Sequence, residues 1–152
     1  MHIEKLNTIQ HNHSLVAIKD TFSVESKRYL TYYDEKWECK LFLNFKTIEE
    51  DNENNLIENL SSNLSINRSS IRCEIKENQV DEKYSVSHKE MRTYNHRLYE
   101  VSISNFPKIM RNDNFMLNGK HYYWMSIDDM RKDKEIIKKN LEIVEFVHSH
   151  IK

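Results

Sequence analysis

The sequence predicts one α+β domain, and three patterns predict it. Two strand-patterned runs form a hairpin between residues 27 and 44, and a third long one covers 92–104. A single amphipathic helix, 53–64, falls between strands, and a second helical stripe closes the chain. The length of 152 residues suits one domain with a real core, 25–152, preceded by an N-terminal arm, 1–24.

Each element has its own signal. Residues 1–20 are polar apart from Leu15-Val16-Ala17-Ile18, which reads as a loose arm or a helix docked late. His11 and His13 are spaced like a metal pair, but no carboxylate or cysteine framework lies nearby, so they read as part of a polar tail. Lys27 to Tyr33 is rich in β-formers, Asp34-Glu35-Lys36 is a polar turn, and Trp37 to Phe42 alternates as a half-buried strand should. That alternation puts Trp37, Cys39, Leu41 and Leu43 on one face. In the helix, Leu56, Ile57, Leu60 and Leu64 share a stripe, and Asp51 or Asn52 can cap its start. Ile71 to Ile75 alternates as a strand, and Asn78 to Glu90 reads as a charged connection. Asn118-Gly119 is a tight-turn signal between Phe115-Met116-Leu117 and His121-Tyr122-Tyr123-Trp124. Ser126 to Asp129 resembles a capping box. Asp133 can cap a final helix, 134–151, with Ile137, Leu141, Val144, Val147 and Ile151 as its apolar stripe.

Composition removes several functions. The formal net charge is −1, which speaks against a general binder of DNA or RNA duplexes. With Gly119 the only glycine, a glycine-rich phosphate cradle is impossible. Cys39 and Cys73 sit in strand-like runs and read as reduced thiols of a cytoplasmic protein. No run approaches the roughly 20 apolar residues of a membrane span, and no secretory signal pattern opens the chain.

Asn44 to Ile66 carries the frame of a known motif. It resembles the Nudix signature G-x5-E-x7-R-E-U-x-E-E-x-G-U, where U is a bulky aliphatic residue. With the last U on Ile66, the inner U falls on Leu60, the early Glu on Glu50 and the leading Gly on Asn44, without a gap. The R-E pair reads Glu58-Asn59, the E-E pair Ser62-Asn63, and the second Gly Ser65. In the Nudix family those glutamates hold divalent metals. Asn and Ser are poor substitutes, because Mg²⁺ favours anionic oxygen ligands. Trp124 to Met130 is also similar to the W-x-S-x-x-E-L run of that family. The resemblance covers residues 25–151 and implies a Nudix-like α/β/α sandwich with a mixed β-sheet, catalytically silent and with no cofactor.

Four further runs narrow the resemblance. Tyr32-Tyr33-Asp34-Glu35-Lys36-Trp37, Leu43-Asn44-Phe45-Lys46-Thr47, Glu82 to His88 and Tyr94-Asn95-His96-Arg97-Leu98-Tyr99 resemble the SMODS-associated Nudix-like domains. That family accompanies nucleotidyltransferases of cyclic-oligonucleotide antiphage signalling in bacteria. Its members act as sensors, often attached to membrane-spanning effector helices. The resemblance implies a cyclic di- or trinucleotide as partner, a change of oligomeric state on binding, and an effector segment outside this chain.

The residues suited to such a ligand are cationic, aromatic or amide: Lys46, His88, Arg92, Tyr94, His96, Arg97, Asn44 and Trp37. Arginine clamps phosphate, lysine supplies a point charge, and aromatic rings stack on bases. The plainer roles are cross-strand pairing for Tyr94, ion pairs with surface carboxylates for Arg92 and Arg97, and a core anchor for Trp37. A regular strand cannot aim Arg92 and Arg97 into one pocket. Two other functions stay open. One is an active hydrolase of nucleoside diphosphate derivatives that recruits Glu49, Glu50, Glu53 and Glu58; the other is a protein-interaction domain without a small ligand.

Overall fold

Four consecutive apolar residues, Leu15 to Ile18, organise the sheet. In a computed structural model, which describes residues 12–23, 27–85 and 90–151 (with no side chains at 79–85 and 90–95), they lie in strand β1, His13–Ile18. The expected arm or late-docking helix is therefore wrong for this segment. A strand buried on both faces reads as a continuous apolar run, not as an alternation. Val16, Ala17 and Ile18 are completely buried.

The other strands are β2 (Tyr29–Asp34), β3 (Cys39–Lys46), β4 (Ile71–Ser85), β5 (Glu90–Ile103), β6 (Asn114–Leu117) and β7 (Lys120–Met125). Among the described residues they form one seven-stranded sheet in the order β4-β5-β1-β3-β2-β7-β6. β1 pairs parallel with β5, and every other neighbouring pair is antiparallel, so the sheet is mixed. β3 is the central strand. Leu41, Phe42 and Leu43 are all buried, which corrects the half-buried strand expected from its alternation.

Helices cover both faces. Helix α1, Asn52–Leu64, lies on one, where Leu56, Leu60 and Leu64 join Val16, Ile18, Leu30, Tyr99 and Val101 in one cluster. Helices α2 (Ile127–Lys132), α3 (Lys134–Lys139) and α4 (Leu141–His150) cover the other. There Met130, Ile136, Ile143, Val144 and Val147 pack with Leu15, Ala17 and Leu98. β1 contributes alternate residues to the two clusters, as the period of two requires.

Three boundaries differ from expectation. The charged connection at 78–90 is mostly strand: β4 runs on to Ser85, with an irregularity at Ile75/Glu77, and pairs with β5 from Glu90. Main-chain pairing carries this hairpin past the point where an apolar face stops signalling it. The final helix is two helices, because Asn140 leaves helical geometry at φ −144°. The break shifts the buried stripe, so Ile136 and Ile143 are buried whereas Ile137 is exposed. At α1, Asp51 stands at the N-cap with no side-chain capping bond.

Other local signals hold. Asn118 (φ 50°) and Gly119 (φ 81°) make the left-handed turn between β6 and β7. Ser126 and Asp129 form a full capping box, and Asp133 accepts from the N–H groups of Glu135 and Ile136. Trp124 is a core anchor: it packs edge-on against Phe22 and Phe106, and its indole N–H donates to the Met110 carbonyl at 2.7 Å. Cys39 and Cys73 are free thiols, pushed up by burial to about 12 and about 11. Among the described residues no helix is long and apolar enough to cross a membrane.

Leu60 is fully buried at the centre of the α1 face. Leu60→Ala should cost about 2–5 kcal/mol of stability, read as a lower urea midpoint at unchanged slope. Ile57→Ala, at a half-buried position, should cost less.

Candidate functional site

The entry to α1 is fixed by buried polar contacts. Asn52 is buried, and its amide group donates to Ser14 Oγ at 2.9 Å and to Tyr99 Oη at 3.0 Å. Its Oδ1 accepts the Ile48 N–H at 3.0 Å, and Ser14 Oγ meets Thr47 Oγ1 at 2.7 Å. The loop 47–51 and the first residue of α1 are thereby tied to β1 and β5. Burial without these partners would be costly.

The far end of α1 keeps the geometry of the box. Ser65, at the second glycine position, has φ 54° and ψ 46°, a left-handed conformation that glycine adopts without strain. Its N–H donates to the Ser61 carbonyl. Ile66, on the final aliphatic position, is buried in the α1-face cluster. Asn118 of the β6–β7 turn donates to the Asn63 carbonyl at 2.8 Å and to Ser65 Oγ at 3.2 Å.

The ligand chemistry along the helix differs from that of the signature. Asn59 donates to the Asn55 carbonyl and Asn63 to the Asn59 carbonyl, both at 2.8 Å, in an i to i−4 series. Ser62 is exposed. Glu58, at the arginine position, is paired with Arg68. These side chains do not fit a divalent cation, because they offer neutral amides and a hydroxyl where a hard ion takes carboxylates. Among the described residues, no three His, Cys, Asp or Glu side chains gather in a group suited to a metal.

The sequence-derived candidates separate into three places. Register aligns Lys46, His13 and His96 in one row across β3, β1 and β5, so their side chains share a face. Asn44 lies on that face too, with its Oδ1 2.9 Å from His13 Nδ1. Lys46 is exposed and His96 buried. Arg97 is opposite Ser14 in register and points to the α1 face, where Tyr99 also lies. Its Nε is buried without a hydrogen-bond partner among the described residues. Trp37 sits before the first residue of β3, at the other end of that strand from Lys46. There it packs against the α2–α4 face, and its carbonyl accepts from Lys139 Nζ at 2.7 Å. His88 lies outside the described residues, as do the side chains of Arg92 and Tyr94, whose backbone belongs to β5.

Sequence reasoning did not single out Tyr32 as a link. Its hydroxyl donates to Asp34 Oδ2 at 3.1 Å and accepts from Asn44 Nδ2 at 3.3 Å. Burial, then the Asp34 charge, pushes the phenol well above its ordinary value, so it stays neutral. Tyr32 also lines a cleft of about 630 Å³ between the β2–β3 and β6–β7 turns, together with Lys120 and His121. The pairing of β2 with β7 creates this cleft, and no local motif announces such a pairing.

No family model matches the chain, and no curated protein matches its sequence. Solved structures do match its fold. A C. elegans Ap4A hydrolase superposes at TM-score 0.57 with 9% identity, over 91% of this chain and 96% of that one. A binary complex of C. elegans Ap4A hydrolase gives 0.53 and 11%, over 90% and 96%. The M. smegmatis Nudix hydrolase RenU gives 0.54 and 7%, over 91% and 87%. At such identities the likeness concerns the backbone alone, and the chain has a Nudix-like fold.

Two substitutions test this geometry. Asn52→Ala leaves the Ser14 and Tyr99 hydroxyls without their partner and should cost about 1–3 kcal/mol, measured by urea denaturation. In an Asn118→Gly background, where no bond to Ser65 Oγ remains to be lost, Ser65→Gly relieves the left-handed strain and should raise stability by about 1 kcal/mol. A loss of stability in that background would contradict the Ser65 geometry.

Proposed function

We propose that this chain is a catalytically silent Nudix-like module that binds a nucleotide second messenger of the cyclic di- or trinucleotide class. In this reading it is the sensor of a bacterial antiphage system, and binding switches an effector through a change of oligomeric state. One observation carries the proposal. The loop-helix retains its seat on the sheet and its left-handed exit at Ser65, while the acidic positions hold Asn59, Ser62 and Asn63. A scaffold of this kind can present a phosphate-bearing ligand without activating water against it.

The cationic groups support recognition of an anion. Lys46 is exposed at the end of β3, beside His13 and His96 in register. Arg97 holds an N–H donor on the face of α1 that has no partner among the described residues, and a phosphate oxygen would satisfy it. The two groups lie on opposite faces of the sheet. In this reading they contact a ligand that wraps the ends of β1, β3 and β5, or two separate ligand groups. The four runs that resemble SMODS-associated Nudix-like domains supply the messenger class and the antiphage setting.

Two measurements test it. Incubation with Mg²⁺ and a panel of dinucleoside polyphosphates and nucleotide sugars should release no phosphate or nucleotide. A cyclic oligonucleotide at about 100 times its Kd should add about 2.7 kcal/mol of stability, seen as a rise in Tm. Lys46→Ala and Arg97→Ala should weaken that binding and leave the unliganded Tm nearly unchanged. Mg²⁺-dependent turnover of the panel would defeat the proposal, and so would a Tm indifferent to every cyclic oligonucleotide.

A further inference from the structure

We infer that the cleft between the β2–β3 and β6–β7 turns is a subsite for one nucleotide unit, with the base on Tyr33 and the phosphate at Lys120 and Lys36. The inference rests on the nucleotide-binding reading above and assigns residues that reading does not use.

The volume, about 630 Å³, falls within the range of small-ligand sites. Tyr33 and Met116 line it and are 40% and 57% exposed. No ring stacking or cation contact occupies Tyr33 among the described residues, unlike its neighbours. Tyr32 has Lys120 Nζ at 4.9 Å from its ring, and Tyr123 is covered by Lys40 at 4.2 Å and His121 at 4.3 Å. One aromatic face is thus left open, and the adaptable Met116 lies on the same face of the sheet, two strands away beyond His121.

The charges around it lack ion-pair partners. Among the described residues, Lys36 and Lys120 touch only rings, with Lys36 Nζ 5.7 Å from Trp37 and Lys120 Nζ 4.9 Å from Tyr32, and neither they nor Glu35 make an ion pair. Asp34 is already engaged: Oδ1 accepts the Trp37 N–H at 3.0 Å and Oδ2 the Tyr32 hydroxyl. The cleft therefore offers two ammonium groups for a phosphate and one free carboxylate that can accept an amino group of a base. A simple anion would use only the first and be repelled by the second. An amino-bearing nucleotide uses both.

The cleft is linked to the box helix through a neighbouring turn. Gly119, in its wall, follows Asn118, whose amide group holds the end of α1 at Asn63 and Ser65. Tyr32, in the other wall, reaches Asn44 at the head of the box. A nucleotide unit in the cleft would be connected to each end of the motif through one hydrogen-bonded side chain, Asn118 or Tyr32.

The probe is adenosine 5′-monophosphate, with ribose 5-phosphate and adenosine as its two halves, titrated against the full chain by ¹H–¹⁵N NMR. Shifts should map to Tyr33, Lys36, Met116 and Lys120 with the mononucleotide and be absent with ribose 5-phosphate. Tyr33→Ala should weaken the mononucleotide about ten-fold. Lys120→Ala should weaken the mononucleotide but leave adenosine unchanged, and the exposed Ile137→Ala should alter neither. Shifts that lie elsewhere, or no mononucleotide binding, would overturn the subsite even if a cyclic oligonucleotide binds. Mononucleotide binding in the cleft with no cyclic oligonucleotide bound anywhere would keep the subsite and sink the sensor reading.

Discussion

The buried amide of Asn52 is the constraint on which the architecture turns. One side chain joins the start of α1 to Ser14 of β1, to Tyr99 of β5 and to the loop at Ile48. β1 and β5 are the parallel pair, and a parallel pair needs a long crossover to connect its strands. Here the chain between them supplies β2, β3, α1 and β4. Asn52 pins that crossover back onto the two strands it links. With the entry of α1 set, Leu56, Leu60 and Leu64 fall on the sheet, and the exit at Ser65 meets Asn118.

This arrangement separates the residues that hold the fold from the positions that carry ligands in the Nudix signature. The residues that seat α1 face inwards, whereas the residues that would hold a cation face outwards. Leu60 and Ile66 serve the core, so the frame needs them whatever the function. Asn59, Ser62 and Asn63 lie outside the buried core, and the two asparagines return their amides to the helix backbone. Exchange of carboxylates for amides at such positions also removes repulsion between like charges one turn apart.

Much of the fold was legible in the sequence, for local reasons. The stripe of α1, the Asn118-Gly119 turn and the caps at Ser126 and Asp133 are all encoded within a few residues of where they act. β1 was not legible, because four apolar residues in a row have no period and the strand gets its identity from two distant neighbours. The extension of β4 to Ser85 rests on main-chain pairing that a charged sequence conceals. Asn52 looked like a helix cap, and only the fold shows that it reaches across the sheet. The site was legible in part. Alternation correctly set His96 and Arg97 on opposite faces, but register alone brings Lys46 beside His13 and His96. The distance of Trp37 from Lys46, and the cleft at Tyr32 and Lys120, follow from strand order, which spacing in the chain does not carry.

Recognition without turnover requires that the outer face of α1 hold no catalytic cation. Titration of Mg²⁺ into ¹⁵N-labelled protein, with the side-chain amides of Asn59 and Asn63 and the backbone N–H of Ser62 as reporters, tests this most directly. The account predicts that these signals stay in place through millimolar Mg²⁺, with and without a bound nucleotide. A saturable shift centred on the three residues would mean that the helix still holds a metal, and would contradict it.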